Sequence, residues 1–369
     1  MEKTKIYFVL LATVIGISLS SAQTQNRRTE NVIIITLDGF RWQELFGGID
    51  TAIANNKNFT KEPEDIKYLF GASTPEKSRK KLLPFFWNVI AVDGQLYGNR
   101  TTGNFVNVAN RYQFSYPGYN EMFTGYPDTN INSNHKNLNP NKNVLEFINQ
   151  QEDFKDQVVV FTSWDVFPSI LNRERSKLLI NSGSEQLAIP GKQLSPEMKL
   201  LNQIQSGDPH FLGGDVREDL LTYYIGFEYI KEYHPRVAFL GFDGTDDLAH
   251  RGLYDYYLEQ VHASDRCIAE LWRFLQSDPQ YKDKTTLILL CDHGRGDHFK
   301  RNWMEHGASI PESGETWLAV IGPDTPPLGE VQSKSQLYNK QVAPTIAAFL
   351  GLPFVPEHGN PEVISTMFK

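Results

Sequence analysis

Four clusters of acid and imidazole side chains in this chain have the composition of cation ligands. Asp38 stands in Leu37-Asp38-Gly39-Phe40. Asp246 and His250 lie four apart in Gly244-Thr245-Asp246-Asp247-Leu248-Ala249-His250. Asp292 and His293 are adjacent in Cys291-Asp292-His293-Gly294, and His306 follows 13 residues later in Glu305-His306-Gly307. Imidazole nitrogens mixed with carboxylate oxygens suit a divalent transition metal, zinc first and manganese second. An isolated Asp after a strand is ordinarily a turn former or helix cap, and a lone Asp-His-Gly is equally ambiguous, so the clusters carry weight only as a set. A hydroxyl nucleophile would complete it. The segment from Phe114-Ser115-Tyr116-Pro117-Gly118-Tyr119 to Thr124-Gly125 reads as a turn leading into a helix. Ser115 falls at or near the helix N-terminus, where backbone N–H groups and the helix dipole favour an anionic phosphate. A metal on its oxygen would lower the hydroxyl pKa and make an alkoxide accessible near neutral pH. Taken alone, the same serine reads as an N-cap.

The elements around these residues set their positions. Short apolar runs alternate with helical patterns, as expected for a mostly parallel sheet covered by helices. The runs are Asn31 to Leu37, Val158 to Phe161, Val237 to Leu240, Thr286 to Leu290 and Trp317 to Ile321. The first is almost continuously hydrophobic, which suits a strand buried on both faces. Helices are expected over Leu82 to Ala91, Asn143 to Gln150, Tyr256 to Gln276 and Asn339 to Leu350. The third shows an apolar stripe at Leu258, Val261, Ile268, Leu271 and Phe274. Asp38, the Asp246/His250 pair and the Asp292/His293 pair each follow a predicted strand. In open α/β sheets ligand sites gather at the carboxyl ends of strands, so residues far apart in sequence can meet there. Two stretches, near 46–79 and 167–214, read as insertions that build a rim or lid over the site.

Composition sets outer limits. The chain has 369 residues, 40% of them hydrophobic and 22% charged, which fits one large α/β domain over 23–369. Its formal charge is −8, and about −9 once Glu2, Lys3 and Lys5 are removed with a leader. That balance argues against binding a nucleic-acid duplex, which needs a basic footprint. It leaves small phosphorylated substrates open, because metal ions can supply local positive charge. Residues 1–22 read as a secretory signal peptide: Lys3 and Lys5, then a mostly apolar run from Ile6 to Leu19, then Ser20-Ser21-Ala22. The run is shorter than the ~20 residues needed to cross a bilayer, and no later segment is apolar enough to span. The expected product is exported, periplasmic or secreted. Cys267 and Cys291 are the two cysteines, and a bridge or two buried free thiols are both compatible with export.

The ordered set Leu-Asp-Gly-Phe, Ser-x-Pro with a trailing Thr-Gly, Thr-Asp-x-x-x-His, Asp-His-Gly and His-Gly resembles the alkaline phosphatase superfamily. Within it, the set is most similar to the nucleotide pyrophosphatase/phosphodiesterase branch and related phosphatases. The resemblance runs from Asn31 to about Pro356 and includes Gln341-Val342-Ala343-Pro344-Thr345-Ile346 near the end. It implies an alkaline phosphatase-like α/β fold and two divalent ions, with Asp38, Ser115, Asp292 and His293 around one and Asp246, His250 and His306 around the other. It implies hydrolysis of a phosphate ester through a phosphoserine. It also implies an oxyanion-binding asparagine some ten residues after the Thr-Gly, which points to Asn134, with Asn132 and Asn130 as rivals. The chain departs from the pattern in three ways: Ser115 stands where the phosphodiesterase branch usually has Thr, Gly118-Tyr119 replaces Asn-His, and the spacing from His293 to His306 is short. The last departure leaves His298 as an alternative ligand.

Related activities give competing expectations. A sulfatase would need a (Cys/Ser)-x-Pro-x-Arg motif, and position 119 is Tyr. A phosphomutase fits poorly with export, and a non-catalytic binding protein on this scaffold predicts a lost ligand or nucleophile. Between monoester and diester substrates, Lys136, Arg173 and Arg175 are the candidate cations for a dianionic monoester. Trp164 and Phe167 are the candidate apolar surfaces for a second ester group.

Overall fold

A computed structural model describes residues 27–207, 213 and 216–369, so the leader expected at 1–22 lies outside the described residues. Among the described residues eleven strands form: β1 (Asn31–Leu37), β2 (Gln95–Tyr97), β3 (Asn104–Asn107), β4 (Val158–Thr162), β5 (Leu179–Ser182), β6 (Val237–Phe242), β7 (Thr285–Leu290), β8 (Glu315–Thr316), β9 (Leu318–Ile321), β10 (Gly329–Glu330) and β11 (Ser335–Tyr338). Eight of them make one sheet in the order β10-β2-β9-β7-β1-β6-β4-β5, and β11-β3-β8 make a small second sheet. The block β7-β1-β6-β4-β5 is parallel, while β9 runs antiparallel to both β7 and β2.

The apolar run NVIIITL places β1 at the centre of the sheet, since only a strand covered on both faces can be buried at every position. Side chains alternate across a strand, and β1 divides its residues accordingly. Ile33, Ile35 and Leu37 join one core with Leu258, Val261, Ile268 and Leu271 of the helix Tyr254–Leu275. Val32 and Ile34 join the other with Tyr119, Met122 and Phe123 of the helix Ser115–Thr124 and with Ile346 of the helix Val342–Phe349. Burying each such aliphatic chain contributes ~1.5–3 kcal/mol, so the sheet centre is the stiffest ground available for a site. The register aligns the ends of the three central strands: Leu37 pairs with Phe242, and Thr36 with Leu290.

The five expected strands and three of the four expected helices form close to where the periodicity puts them. The stretch from Leu82 to Ala91 is not one helix. Leu83 leaves helical geometry ahead of Pro84, as residues before proline tend to, and a π-helical turn over Phe86–Ile90 follows. The two stretches read as insertions carry more of the fold than a lid would. Residues 46–79 form short helices, Thr51–Ala54, Pro63–Phe70 and the start of Pro75–Leu82, whose Ile53, Ile66 and Phe70 enter the first core. Segment 167–214 contains β5, the edge of the main sheet. Four residues entered through Lys177 in the left-handed region offer too little alternation to be read as a strand.

Candidate active site

Three of the four acid and imidazole clusters emerge from the carboxyl ends of adjacent parallel strands. Asp38 follows β1, the helix Gly244–His250 follows β6, and Asp292 and His293 follow β7. Local hydrogen bonds fix each turn. Thr245 Oγ1 donates to the Asp38 carbonyl at 2.6 Å, and the Gly39 N–H donates to Asp292 Oδ1 at 3.1 Å. Asp219 accepts from the N–H groups of Asp243 and Gly244 at 2.9 and 3.0 Å, anchoring the start of the helix that carries Asp246 and His250. Asn339 Nδ2 donates to the Cys291 carbonyl at 2.9 Å.

Ser115 arrives from elsewhere in the chain, as the first residue of the helix Ser115–Thr124. Asn110 Oδ1 accepts from the N–H groups of Tyr112 and Gln113 and so shapes the turn ahead of it. Inside the helix, Gly118 allows the close approach. A Cβ at that position would lie 2.6 Å from the Asp292 carbonyl oxygen. The absence of a side chain at 118 therefore lets the helix sit against the β7 loop and brings Ser115 Oγ to 3.3 Å from His293 Nε2.

Around His293 the chemistry is constrained. Its Nδ1 lies 3.0 Å from the carbonyl oxygen of Gly294, which can only accept, so Nδ1 carries a proton and Nε2 is the ring atom turned toward the acids. That Nε2 faces Asp38 Oδ1 at 3.3 Å and Asp292 Oδ2 at 3.4 Å, and both oxygens are buried without a hydrogen-bond partner. Two bare carboxylate oxygens and an imidazole nitrogen thus converge in a fully buried spot, together with the serine oxygen. Such a set costs free energy unless a cation joins it. Burial pushes the Asp38 carboxyl well above the usual range, with Asp246 adding to the effect. Burial, then Asp38, does the same to Asp292. The donor set fits a metal ion.

Tyr119 supports this group from behind. Its hydroxyl donates to Asp38 Oδ2 at 3.0 Å, which turns Oδ1 toward His293. Burial, then Asp38 and Asp292, push the phenol well up, so it keeps its proton and stays a donor. The sequence marked position 119 as a departure from the family pattern, but nothing in it identified this hydrogen bond.

The second group is Asp246, His250 and His306. His250 Nε2 lies 3.1 Å from Asp246 Oδ2 and 2.9 Å from His306 Nε2, and His306 Nε2 lies 3.6 Å from Asp246 Oδ1. The two groups adjoin: His293 Nε2 is 3.9 Å from Asp246 Oδ1, and the rings of His293 and His306 stack with centroids 3.9 Å apart. Burial works to raise Asp246, but Arg295, His306 and His250 together hold it well below the usual carboxylate range. Burial, then His293, holds His306 well below the usual imidazole range, so it presents a neutral ring. His298 is exposed and turns its ring to Phe299, so it is His306 that reaches Asp246.

At the rim, Asn134 Oδ1 accepts from the Tyr116 N–H at 3.0 Å, which puts this amide beside the start of the Ser115 helix. Asn130 spends its amide on Asp128. The candidate cations are all paired: Lys136 with Asp165, Arg173 with Glu185, and Arg175 with Glu146 as well as the carbonyls of Asn139, Pro140 and Asn141. Phe167 is no rim surface, because it is buried against Tyr119 and Phe239. Cys267 and Cys291 are free, buried thiols. Arg295, which no sequence argument singled out, lies buried against Asp246. Its only signal was its position two residues after His293.

A mostly parallel sheet with both faces covered gives the chain an alkaline phosphatase-like α/β fold, and solved structures of that fold are similar to it. Alkaline phosphatase PafA matches over 94% of this chain and 99% of its own, with TM-score 0.62 and 10% identity. The phosphonate monoester hydrolase of Agrobacterium radiobacter matches over 92% and 77%, with TM-score 0.54 and 13% identity. A 2-O GAG sulfatase matches over 92% and 74%, with TM-score 0.56 and 10% identity. No protein-family model matches the sequence, and no curated protein matches it significantly. Among the described residues no helix is long and apolar enough to cross a membrane.

Proposed function

We propose that this chain is an exported metal-dependent hydrolase of the alkaline phosphatase superfamily that cleaves phosphate esters, with Ser115 as nucleophile. The observation that carries the reading is the convergence of Asp38 Oδ1 and Asp292 Oδ2, two buried oxygens without a hydrogen-bond partner, on His293 Nε2 beside the Ser115 oxygen. Asp38, Asp292, His293 and Ser115 would hold one divalent ion, and Asp246, His250 and His306 the other. Zinc suits this mixture of nitrogen and oxygen donors, with manganese second. Bound there, the pair would supply positive charge to the attacking and departing oxygens.

The rest of the chemistry belongs to the chain. Ser115 Oγ, having lost its proton to solvent, attacks phosphorus as the bond from phosphorus to the leaving oxygen breaks. The leaving alcohol departs with a proton taken from water. Hydrolysis of the phosphoserine then restores the hydroxyl and releases the phosphoryl product. Asn134, with its oxygen committed to the Tyr116 N–H, has its Nδ2 left to donate to a non-bridging phosphoryl oxygen. Tyr119 holds Asp38 in orientation. The paired state of Lys136, Arg173 and Arg175 leaves no free cation among them for a dianionic monoester, which favours a small phosphodiester, singly charged at the reacting group.

The test compares turnover of bis-p-nitrophenyl phosphate with that of p-nitrophenyl phosphate by the zinc-loaded protein and by Ser115→Ala. The diester should be the better substrate. The alanine variant should lose about 1,000-fold or more in rate while retaining its metal. Activity surviving nearly intact in Ser115→Ala would remove the nucleophile assignment, and a preference for the monoester would remove the diester one.

A further inference from the structure

Arg295 is a buried charge in the site that the chemistry above does not use. It stands on the same loop after β7 as Asp292 and His293 and is 1% exposed. Its Nε donates to the Trp303 carbonyl at 2.8 Å, Nη2 to the Met304 carbonyl, and Nη1 to Asp246 Oδ1. One guanidinium therefore fastens the backbone just ahead of His306 to the carboxylate of the second group. The space it occupies depends on Gly39, which sits at φ +56°. A Cβ there would lie 2.8 Å from Arg295 Nη1 and 2.7 Å from Asp246 Oδ1.

The two groups consequently differ in charge. Asp38 and Asp292 offer two carboxylates whose inner oxygens have no partner. In the second group, Asp246 is already matched by Arg295, and the other two members, His250 and His306, are imidazoles rather than carboxylates. A divalent ion joining the first group compensates charge, whereas one joining the second adds to the positive charge already buried there on Arg295. Like charges repel strongly there, and the partner that relieves the excess is an anion.

Resting on the metal reading above, we infer that the two positions are unequal. The Asp38, Asp292 and His293 position holds its ion tightly. The Asp246, His250 and His306 position, with Arg295 against it, holds an ion weakly until a phosphate group enters the site. The second ion and phosphate then bind cooperatively, each raising the affinity of the other by the same factor.

The test is a titration of the metal-stripped full chain with chelator-buffered Zn2+, following metal content and heat, with and without inorganic phosphate. Two binding classes are expected, the second weaker by about tenfold or more. Phosphate should tighten the second class alone by about tenfold. Arg295→Gln, which removes the charge and keeps a donor for the nearby carbonyls, should strengthen the second class without phosphate and reduce the phosphate effect. If that variant does not fold, as judged by circular dichroism, the wild-type titration decides by itself. Two classes of equal affinity, or a second class that phosphate does not move, would overturn this inference and leave the metal reading standing. No ion bound at either position would overturn both.

Discussion

Buried carboxylates occur in two kinds of place in this protein, and the contrast separates framework from chemistry. Glu121, on the same helix as Ser115, is fully buried. Its two oxygens accept from the N–H groups of Ala109, Asn110 and Lys340. Asp265 accepts from the N–H groups of Phe85 and Phe86, and Asp219 from Ser163 Oγ, the Asp243 and Gly244 N–H groups and Gln260 Nε2. Each of these acids ties two or more segments together with both oxygens engaged. Asp38 and Asp292 each have one oxygen engaged, with Tyr119 and with the Gly39 N–H, and one left bare toward His293. Glu121, Asp265 and Asp219 are satisfied on both oxygens, whereas Asp38 and Asp292, at the end of the most central strands, are half satisfied. The bare oxygens are what a cation would use.

The largest expected effect separates the two kinds of acid directly. Asp292→Asn should weaken metal binding at the first position by about 1,000-fold. It should leave the stability of the metal-free protein within about 1 kcal/mol or raise it, because an uncompensated buried carboxylate is removed. Urea unfolding of the stripped proteins and metal dialysis measure both, and a metal-free variant several kcal/mol less stable would erase the distinction. Glu121→Ala should do the opposite, costing about 3 kcal/mol of stability through orphaned N–H groups. Metal content in the remaining folded protein should stay unchanged. Tyr119→Phe tests the hydrogen bond behind Asp38. It should weaken metal affinity about tenfold with little loss of stability, and unchanged affinity would show that Asp38 needs no orientation.

The smallest effect is in pH dependence. Burial pushes Asp265 up to about 7 from 3.8, against the pull of its two N–H bonds. The folded state therefore keeps a proton on Asp265 in a range where the unfolded chain has lost it. Its contribution to stability is full below the unfolded value and is lost as pH rises through about 7. Asp265→Asn should flatten the fall in stability of the metal-stripped protein between those two pH values. An identical slope would place the proton elsewhere.

Much of this could be read before folding was considered. The apolar runs that become β1, β6 and β7 are long and nearly unbroken, so both their burial and the placement of Asp38, Asp246 and Asp292 just beyond them follow from pattern alone. β5 escaped notice because four residues at a sheet edge carry little periodicity, and the break at Leu83 showed only as the proline after it. Glu121 and Asp38 look alike in a sequence. One is a structural anchor and the other faces an imidazole nitrogen, and the difference lies in which distant N–H groups come within reach. Arg295 offered no signal beyond adjacency to a motif.

The amino-acid order by itself determined the parallel αβ alternation, the sheet edge where the acids and imidazoles gather, and the helix that begins at Ser115, because these depend on local periodicity and chain connectivity. Tertiary structure alone decided which oxygens are left bare, that Gly118 admits the serine to the β7 loop, that His306 rather than His298 reaches Asp246, and that Arg295 neutralises one group and not its neighbour. Those outcomes depend on close contacts between segments far apart in the chain, 49 residues for Arg295 and Asp246 and 178 for Ser115 and His293, which no local pattern encodes.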